Sequence, residues 1–275
     1  MSTEVKVAEH YTRGRLEESV LQGVKRARKT PENLVIEDFA GLDQFHVGGL
    51  EATRELASQM NLRPGLRLLD VGCGIGGPAR YFAGERGCQV TGIDVTEEFV
   101  EVAKRLTKML KLEGLVEFQK ASALNLPFES ETFDRASMIH VGMNIADKAG
   151  VFREVRRILK SGGLFAVFDV ARTADGPIRY PVPWALDDET SFVADLKNYR
   201  DAMESAGFRV DHVLSQKASA VEATKRAMAR MAQDGPPVLG LQLLMGEKTQ
   251  LMVANVLAMM QDGLLEPVEM IGLAV

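Results

Sequence analysis

The segment LLDVGCGIGG, at residues 68–77, places four glycines directly after a short apolar run. The apolar run 66–71 predicts a buried β-strand, and the pattern over 79–85 predicts a helix behind the glycines. A glycine-rich turn between a strand and a helix lets the backbone approach a ligand with no side chain in the way. The helix start adds unpaired N–H groups. The segment therefore predicts a ligand-binding turn, although a tight turn without a ligand would show the same glycines.

Strands and helices alternate along the chain around this segment. The predicted strands are 66–71, 89–93, 115–119, 134–140, 164–169, 208–213 and 266–275. The predicted helices between them are 79–85, 97–111, 149–159 and 198–206, the third ending in a turn at 161–163. This alternation predicts an α/β fold, in which a mostly parallel sheet has helices on both faces. Ligands of such sheets bind at the carboxyl ends of the strands.

Helical patterns dominate the two ends of the chain. Residues 5–29 carry apolar positions at helical spacing, Pro31 interrupts them, 39–49 reads as a loop, and 50–60 predicts a further helix. Residues 218–262 are helical except for a break at Gly235-Pro236-Pro237, whereas 175–188 is rich in proline and irregular. The predicted organisation is therefore an N-terminal helical cap or substrate lid at 1–62, a binding core at 63–217, a helical insertion covering the active site at 218–263, and the last strand at 264–275.

The composition excludes several classes of protein. The formal net charge of -5 over 275 residues argues against a nucleic-acid binder, whose surface would be basic. No apolar run reaches transmembrane length, and the first ten residues lack the apolar stretch of a signal peptide. The two cysteines, Cys73 and Cys88, form no CxxC pair, so we expect neither a disulfide framework nor a metal site. These features predict a cytoplasmic protein with no nucleic-acid partner and no membrane span, and they leave homo-oligomerisation open.

Two carboxylates accompany the glycines. Asp94 closes the second predicted strand, where a carboxylate can accept hydrogen bonds from both hydroxyls of a ribose. That position would suit NAD and S-adenosylmethionine equally. Asp70 ends the first predicted strand, where a carboxylate would repel a pyrophosphate but attract an amino group. The pair therefore favours a nucleoside that carries an amino acid over a dinucleotide.

Further motifs make a family resemblance visible. Beside the glycine segment stand VTGIDVT (90–96), LPF (126–128), ETFDRA (131–136) and LKSGG (159–163). This set, over about 66–169, resembles the class I S-adenosylmethionine-dependent methyltransferases. The resemblance implies a Rossmann-like seven-stranded sheet whose last strand is antiparallel. It also implies S-adenosylmethionine as cofactor, S-adenosylhomocysteine as product, and no metal.

The resemblance also implies which residues bind the cofactor. Asp70 would approach its amino group and Asp94 its ribose hydroxyls. The full set is Asp70, Gly72, Cys73, Gly74, Asp94, Val95, Ser122, Ala123 and His140. Ser122 stands where the family usually has an aspartate that accepts from the adenine amino group. A hydroxyl accepts that hydrogen bond more weakly, so we expect somewhat looser binding than in relatives with aspartate.

A second resemblance lies outside these motifs. DQFHVGG (43–49), MNIADK (143–148) and YPVPW (180–184) are similar to the sarcosine/dimethylglycine N-methyltransferase group. It implies that the acceptor is the amine nitrogen of a methylated glycine. The alternatives are a C- or O-methyltransferase of a quinone, phenol or other natural product, and an oxidoreductase or non-catalytic nucleotide-binding module that uses the same fold.

Two histidines are the catalytic candidates. His140 ends the fourth predicted strand, and His46 lies in the loop before the helix at 50–60. Either side chain could hold the acceptor or take its proton, because histidine ordinarily titrates near neutrality. Either could instead only pack and hydrogen-bond in place.

The substrate candidates come from several segments: Tyr11, Met143, Asn144, Arg172, Tyr180 and Trp184. Arg172 would pair with an acceptor carboxylate, or else lie on the surface. The aromatic rings would cradle a forming quaternary ammonium or form an apolar lid. Seven of the 13 methionines lie beyond position 227. Their spacing is typical of helix cores, but they would suit a larger apolar acceptor if they lined the site.

Overall fold

A computed structural model of the protein describes residues 2–30 and 32–275. The strands are β1 Arg67–Val71, β2 Gln89–Asp94, β3 Val116–Lys120, β4 Phe133–Ile139, β5 Leu159–Arg172, β6 Phe208–Ser215 and β7 Leu265–Ala274. They form one seven-stranded sheet in the order β3-β2-β1-β4-β5-β7-β6. Strand β7 runs antiparallel to β5 and β6, and the remaining pairs are parallel. The predicted seven-stranded α/β sheet with an antiparallel last strand is therefore confirmed.

Helices precede, connect and follow these strands. They are α1 Thr3–Tyr11, α2 Leu16–Arg26, α3 Ala40–Asp43, α4 Gly49–Gln59, α5 Gly77–Arg86, α6 Glu97–Met109, α7 Lys148–Ile158, α8 Leu196–Ser205, α9 Lys217–Asp234, α10 Gln242–Met245 and α11 Thr249–Gln261. Single helical turns lie at Ile36–Phe39, Gly142–Asn144 and Gly246–Lys248. The break predicted at Pro31 lies outside the described residues.

The sheet has a packed core on each face because successive side chains of a strand point to opposite sides. In β5, Phe165 and Val167 pack in the cluster that contains the buried residues of α7 and α8. Ala166 and Phe168 pack in the cluster that contains those of α4, α5 and part of α6. The near-continuous apolar sequence of the central strands follows from this two-sided burial.

A third cluster joins the two helical regions outside the sheet. Leu16 and Val20 of α2 pack with Phe99 of α6, and Leu244 and Met245 of α10 belong to the same cluster. The N-terminal helices and the helical segment between β6 and β7 are therefore packed together at one end of the sheet. This arrangement closes over the carboxyl ends of the strands.

The N-terminal segment, predicted as helical over 5–29, forms two helices. Gly14 lies between them with φ +79. The carboxylate of Glu98, at the start of α6, accepts hydrogen bonds from the backbone N–H groups of Arg13 (2.5 Å), Gly14 (3.0 Å) and Leu16 (2.9 Å). The break was not visible in the local pattern because a residue far along the chain stabilises it.

Two smaller predictions are wrong. The segment 39–49, predicted as a loop, begins with a helical turn at Ile36–Phe39 and helix α3, which bury Phe39 and Leu42 completely. The turn predicted at 161–163 is part of β5, because α7 ends at Ile158 and the strand follows at once. Gly162, with φ +75, bends the start of that strand and does not cap the helix.

Candidate active site

A cavity lies over the carboxyl ends of β1, β2 and β4. It contains about 1000 Å³ of space not filled by protein atoms, part of it open to solvent. The sequence-predicted residues that line it are Tyr11, His46, Asp70, Gly72, Cys73, Gly74, Asp94, Val95, Ala123, His140 and Asn144. Parallel strands bring their carboxyl ends to one edge of a sheet, so motifs far apart in sequence meet there.

The glycine turn lies close to the loop after β4. A Cβ atom on Gly72, which has φ +70, would lie 2.3 Å from a methyl carbon of Val141, so only glycine fits. A Cβ on Gly74 would meet no atom within 4 Å, which leaves this part of the backbone open towards the cavity. The turn thus presents bare backbone to a ligand, as its sequence predicts.

Asp94 anchors the turn. One carboxylate oxygen accepts from the N–H of Gly74 at 3.0 Å, and the other accepts from the N–H of Thr96 at 2.8 Å. Burial raises the pKa of Asp94, and the backbone hydrogen bonds oppose that rise. Each oxygen retains acceptor capacity, because a carboxylate can take about four hydrogen bonds. The residue fits the ribose-binding role expected of it.

Asp70 presents an unpaired acceptor at the base of the cavity. Its Oδ1 accepts from the hydroxyl of Ser137 at 2.8 Å, but its buried Oδ2 has no hydrogen-bond partner among the described residues. Burial raises the pKa of Asp70 to about 7, the Ser137 hydroxyl lowers it, and the charge of Asp94 raises it. A buried acceptor without a partner is costly, and a cationic amino group would satisfy it. The site therefore fits the amino acid end of S-adenosylmethionine.

The two predicted histidines lie together. Their ring centroids are 6.0 Å apart, and each ring packs edge-to-face against Phe168. His140 has φ +53, and its buried Nε2 has no hydrogen-bond partner among the described residues. Burial, and then the neighbouring His46, lower the pKa of His140 well below its ordinary value. Burial lowers the pKa of His46 to about 4.

Both imidazoles are therefore neutral at pH 7, which corrects the expectation of a base that titrates near neutrality. Nε2 of His46 lies 3.0 Å from the carbonyl oxygen of Gly49, and a carbonyl can only accept. Nε2 of His46 must therefore carry the proton, which leaves Nδ1 as its acceptor atom. A neutral histidine can hold an acceptor group by a hydrogen bond, whereas taking a full proton here costs free energy.

Helix α1 forms one wall of the cavity. Glu4, Val7 and Tyr11 line it, at the spacing that places residues on one face of a helix. The hydroxyl of Tyr11 donates to Oδ1 of Asn144 at 2.9 Å. Burial raises the pKa of Tyr11 far above its ordinary value, so the phenol stays neutral. The amide nitrogen of Asn144 donates to the backbone carbonyl of Trp184 at 2.8 Å, so Asn144 orients Tyr11 over the cavity.

Five predicted site residues do not line the cavity: Ser122, Met143, Arg172, Tyr180 and Trp184. Met143 and Trp184 pack in a cluster with α11, and Tyr180 lies against that cluster. Arg172 pairs with Leu265 in the sheet and donates to the carbonyl oxygen of Gly176 at 2.6 Å. Arg172 lies away from the cavity because β5 extends further than expected, and Tyr180 and Trp184 lie away from it because the proline-rich segment turns towards α11.

Several lining residues were missed: Glu4, Val7, Asp43, Phe45, Ile75, Pro78, Ile93, Phe99, Ala121, Ile139, Val141, Ile145 and Leu244. The spacing of Glu4, Val7 and Tyr11 was a usable signal, because it predicts one helix face. Leu244 of α10 gave no such signal, since its approach depends on the packing of the helical segment. No methionine of the described residues lines the cavity, so a methionine-rich acceptor pocket is not formed.

The charges that line the cavity have one sign. The ionisable carboxylates at its wall are Glu4, Asp43, Asp70 and Asp94, and no lysine or arginine among residues 2–30 and 32–275 lines it. Asp43 is paired with the buried Arg80 at 2.7 Å. An anionic group on an acceptor would therefore meet no cationic side chain in the cavity wall.

Residues 69–167 match the protein family described as a methyltransferase domain. This segment of the chain is therefore similar to a methyltransferase domain. The seven-stranded, mostly parallel sheet has the Rossmann-like form that is typical of methyltransferases. The domain accounts for β1 to β5, whereas the cap and the C-terminal helices lie outside the matched residues.

Known methyltransferases are similar to part of this chain. The chain is 38% identical over 161 residues to cycloartenol-C-24-methyltransferase 1 of Oryza sativa subsp. japonica, covering 56% of this chain and 47% of that protein. It is 34% identical over 133 residues to methyltransferase GfsG of Streptomyces halstedii, covering 48% of each. The chain thus spans about half the length of these curated relatives.

The fold extends beyond the matched domain. The structure of a putative sarcosine dimethylglycine methyltransferase from Galdieria sulphuraria superposes with a TM-score of 0.69 at 20% identity, covering 82% of this chain and 86% of that one. This likeness concerns the fold. In the described part of the chain, no helix has both the length and the apolar character needed to cross a membrane.

Binding of S-adenosylhomocysteine is expected to weaken as the pH falls below 7. Asp70 is protonated in the free protein below its pKa of about 7, and a cationic amino group needs the ionised form. Binding must then release that proton, so the affinity falls about tenfold per pH unit in this range and is constant just above it. Titration calorimetry across the range, in buffers of different ionisation enthalpy, measures both the affinity and the released proton. An affinity that does not change between pH 5.5 and 7 would contradict this assignment.

Proposed function

We propose that the protein transfers a methyl group from S-adenosylmethionine to a small, largely apolar acceptor that carries no anionic group. S-Adenosylmethionine supplies a methyl group that its sulfonium charge already activates. Asp70 would hold the amino group of the cofactor and Asp94 the ribose hydroxyls, beside the bare backbone of Gly72 and Gly74. The unpaired buried oxygen of Asp70 carries this proposal, because a dinucleotide would bring a pyrophosphate to the glycine turn and offers no ammonium group that could donate to this oxygen.

The protein's part in the reaction is to position the acceptor atom and to exclude water from it. Val7 and Phe45 form apolar walls, and Tyr11 lies beside them with its hydroxyl fixed on Asn144. The unpartnered Nε2 of His140 can accept a hydrogen bond from an acceptor hydroxyl or amine. Close placement of the acceptor atom and the removal of its water shell are the main requirements of such a displacement.

The cavity wall favours a carbon or oxygen acceptor. Arg172, the expected partner of an acceptor carboxylate, lies in the sheet beside Leu265. The relative from Oryza sativa is, by its name, a C-methyltransferase, which agrees with an apolar acceptor. The second candidate is the amine nitrogen of a methylated glycine. The aromatic rings of Tyr11, Phe45 and Phe99 favour it, because they could stabilise a forming ammonium.

A matched pair of amine acceptors tests whether a carboxylate is excluded, and acceptors of other classes test carbon and oxygen transfer. We expect labelled S-adenosylmethionine to methylate N,N-dimethylglycinamide at least about tenfold faster than N,N-dimethylglycine, since the carboxylate would remain unpaired among acidic side chains. Phenols, quinols and isoprenoid alkenes tested alongside report oxygen and carbon transfer. Transfer confined to dimethylglycine would overturn the uncharged acceptor. Stabilisation by NADH but not by S-adenosylhomocysteine would overturn the methyltransferase itself.

A further inference from the structure

A hydrogen bond joins the N-terminal helix to the loop after β3. The hydroxyl of Ser122 donates to Oε1 of Glu4, whose position is 118 residues earlier in the chain. Ser122 also accepts from the N–H of Leu124 at 3.1 Å, which fixes the direction of its own proton. Glu4 lines the cavity, and Ser122 does not. The cavity therefore receives a carboxylate from a helix outside the methyltransferase domain.

The strand order places this carboxylate along the sheet edge. The order β4, β1, β2, β3 sets the loops of His140, Asp70, Asp94 and Ser122 in that sequence along the edge. With the amino acid part at Asp70 and the ribose at Asp94, the base of the nucleoside lies further on, over the end of β3. Glu4 lies at that end through its bond to Ser122.

The walls of this part of the cavity are apolar apart from Glu4. Val95, after β2, and Ala121 and Ala123, after β3, line the cavity at this end of the sheet. An apolar slot with one carboxylate at its rim suits a neutral heterocycle that carries an N–H donor. A heterocycle with a carbonyl at that point would bring two acceptors together, with no proton between them.

We propose that Glu4 recognises the exocyclic amino group of the donor's adenine, and that Ser122 positions Glu4 for this contact. The inference rests on the proposed function, since it assumes that the nucleoside lies along Asp70 and Asp94. Glu4 lies in the first turn of α1, where the helix dipole favours a negative charge. Among the described residues, the Ser122 hydroxyl donates to Oε1 of Glu4 and not to Oε2, which leaves Oε2 to meet the base. The donor would therefore gain a contact with α1 in addition to its contacts with the methyltransferase-like segment.

The test compares two ligands that differ at one atom of the base. S-Adenosylhomocysteine has an amino group at the purine 6-position, and S-inosylhomocysteine has a carbonyl there. Calorimetry on the whole protein should show a preference for the adenosyl ligand of about thirtyfold or more. In Glu4→Gln the preference should fall to a few-fold, because an amide can both donate and accept. Glu9→Gln, which changes an exposed residue of the same helix, should leave the preference unchanged.

If Glu4→Gln disturbs α1, variants that move the carboxylate from position 4 to position 122 provide a second test. Ser122→Asp alone puts two carboxylates side by side, so it should not tighten binding. Glu4→Gln combined with Ser122→Asp returns one carboxylate to the same place and should restore the preference. The protection of α1 from trypsin by S-adenosylhomocysteine should rise and fall with this binding preference across the variants.

The outcomes separate the two proposals. If wild-type protein binds S-adenosylhomocysteine and Glu4→Gln keeps the full preference, the role of Glu4 is overturned and the methyltransferase proposal stands. Tighter binding by Ser122→Asp alone would likewise overturn it, because Glu4 would then not occupy that position. If wild-type protein binds neither ligand, the proposed function itself fails.

Discussion

Replacing Asp70 with asparagine is expected to weaken S-adenosylhomocysteine binding about a hundredfold, as loss of a charge-assisted hydrogen bond in a buried site does. The ligand's amino group would lose the carboxylate oxygen that has no other partner among the described residues. An asparagine could keep the hydrogen bond from Ser137 but would turn its amide N–H groups towards the ligand's ammonium. Calorimetry at pH 8, where wild-type Asp70 is ionised, measures the loss.

Asp70→Asn should not destabilise the ligand-free protein, although it weakens ligand binding. Burial raises the pKa of Asp70 to about 7, so its protonated form stabilises the fold at low pH and that contribution is lost as the pH rises to 7. Asp70→Asn removes the buried charge, so the free variant should unfold at the same or a higher temperature than wild type at pH 8. Ser137→Ala is the matched control, since it keeps the carboxylate and should weaken binding less. Unchanged affinity in Asp70→Asn would contradict the assignment.

Replacing Arg80 with alanine is expected to lower the free energy of unfolding by about 3–5 kcal/mol, the usual result of removing one partner from a buried ion pair. Arg80 and Asp43 have fully buried side chains, and Nη2 lies 2.7 Å from the carboxylate oxygen. Arg80 also donates to the hydroxyl of Thr107 at 3.3 Å. Without the guanidinium, Asp43 is left as an unpaired buried acid behind the glycine turn.

Chemical denaturation measures this loss, and Arg54→Ala provides the control. Arg54 pairs with Glu51 on the exposed face of α4, where an ion pair contributes about 0–1 kcal/mol. Arg80→Met combined with Asp43→Asn should recover part of the stability, because neither buried group is then left charged and unpaired. A variant Arg80→Ala as stable as Arg54→Ala would show that the pair is not structural.

Local sequence determined the centre of the site. Asp70 and Gly72 flank the last residue of β1, and Asp94 ends the next strand, so spacing alone predicts where they meet. Contacts across the chain determined the rest. Glu4 reaches the cavity through the docking of α1, and Arg172 leaves it because β7 continues the sheet past the expected end of β5. Such positions depend on packing that no short pattern records.

The joint between α1 and α2 has a consequence for how ligands enter. Glu98 of α6 fixes the joint itself through three backbone N–H groups, and α2 buries Leu16, Val20, Gly23 and Val24, whereas α1 buries only Val7. Local opening of α1 therefore costs much less than unfolding of the cap. We therefore expect amide hydrogens of α1 to exchange with solvent faster than those of α2, and the cavity to admit its ligands without loss of the fold.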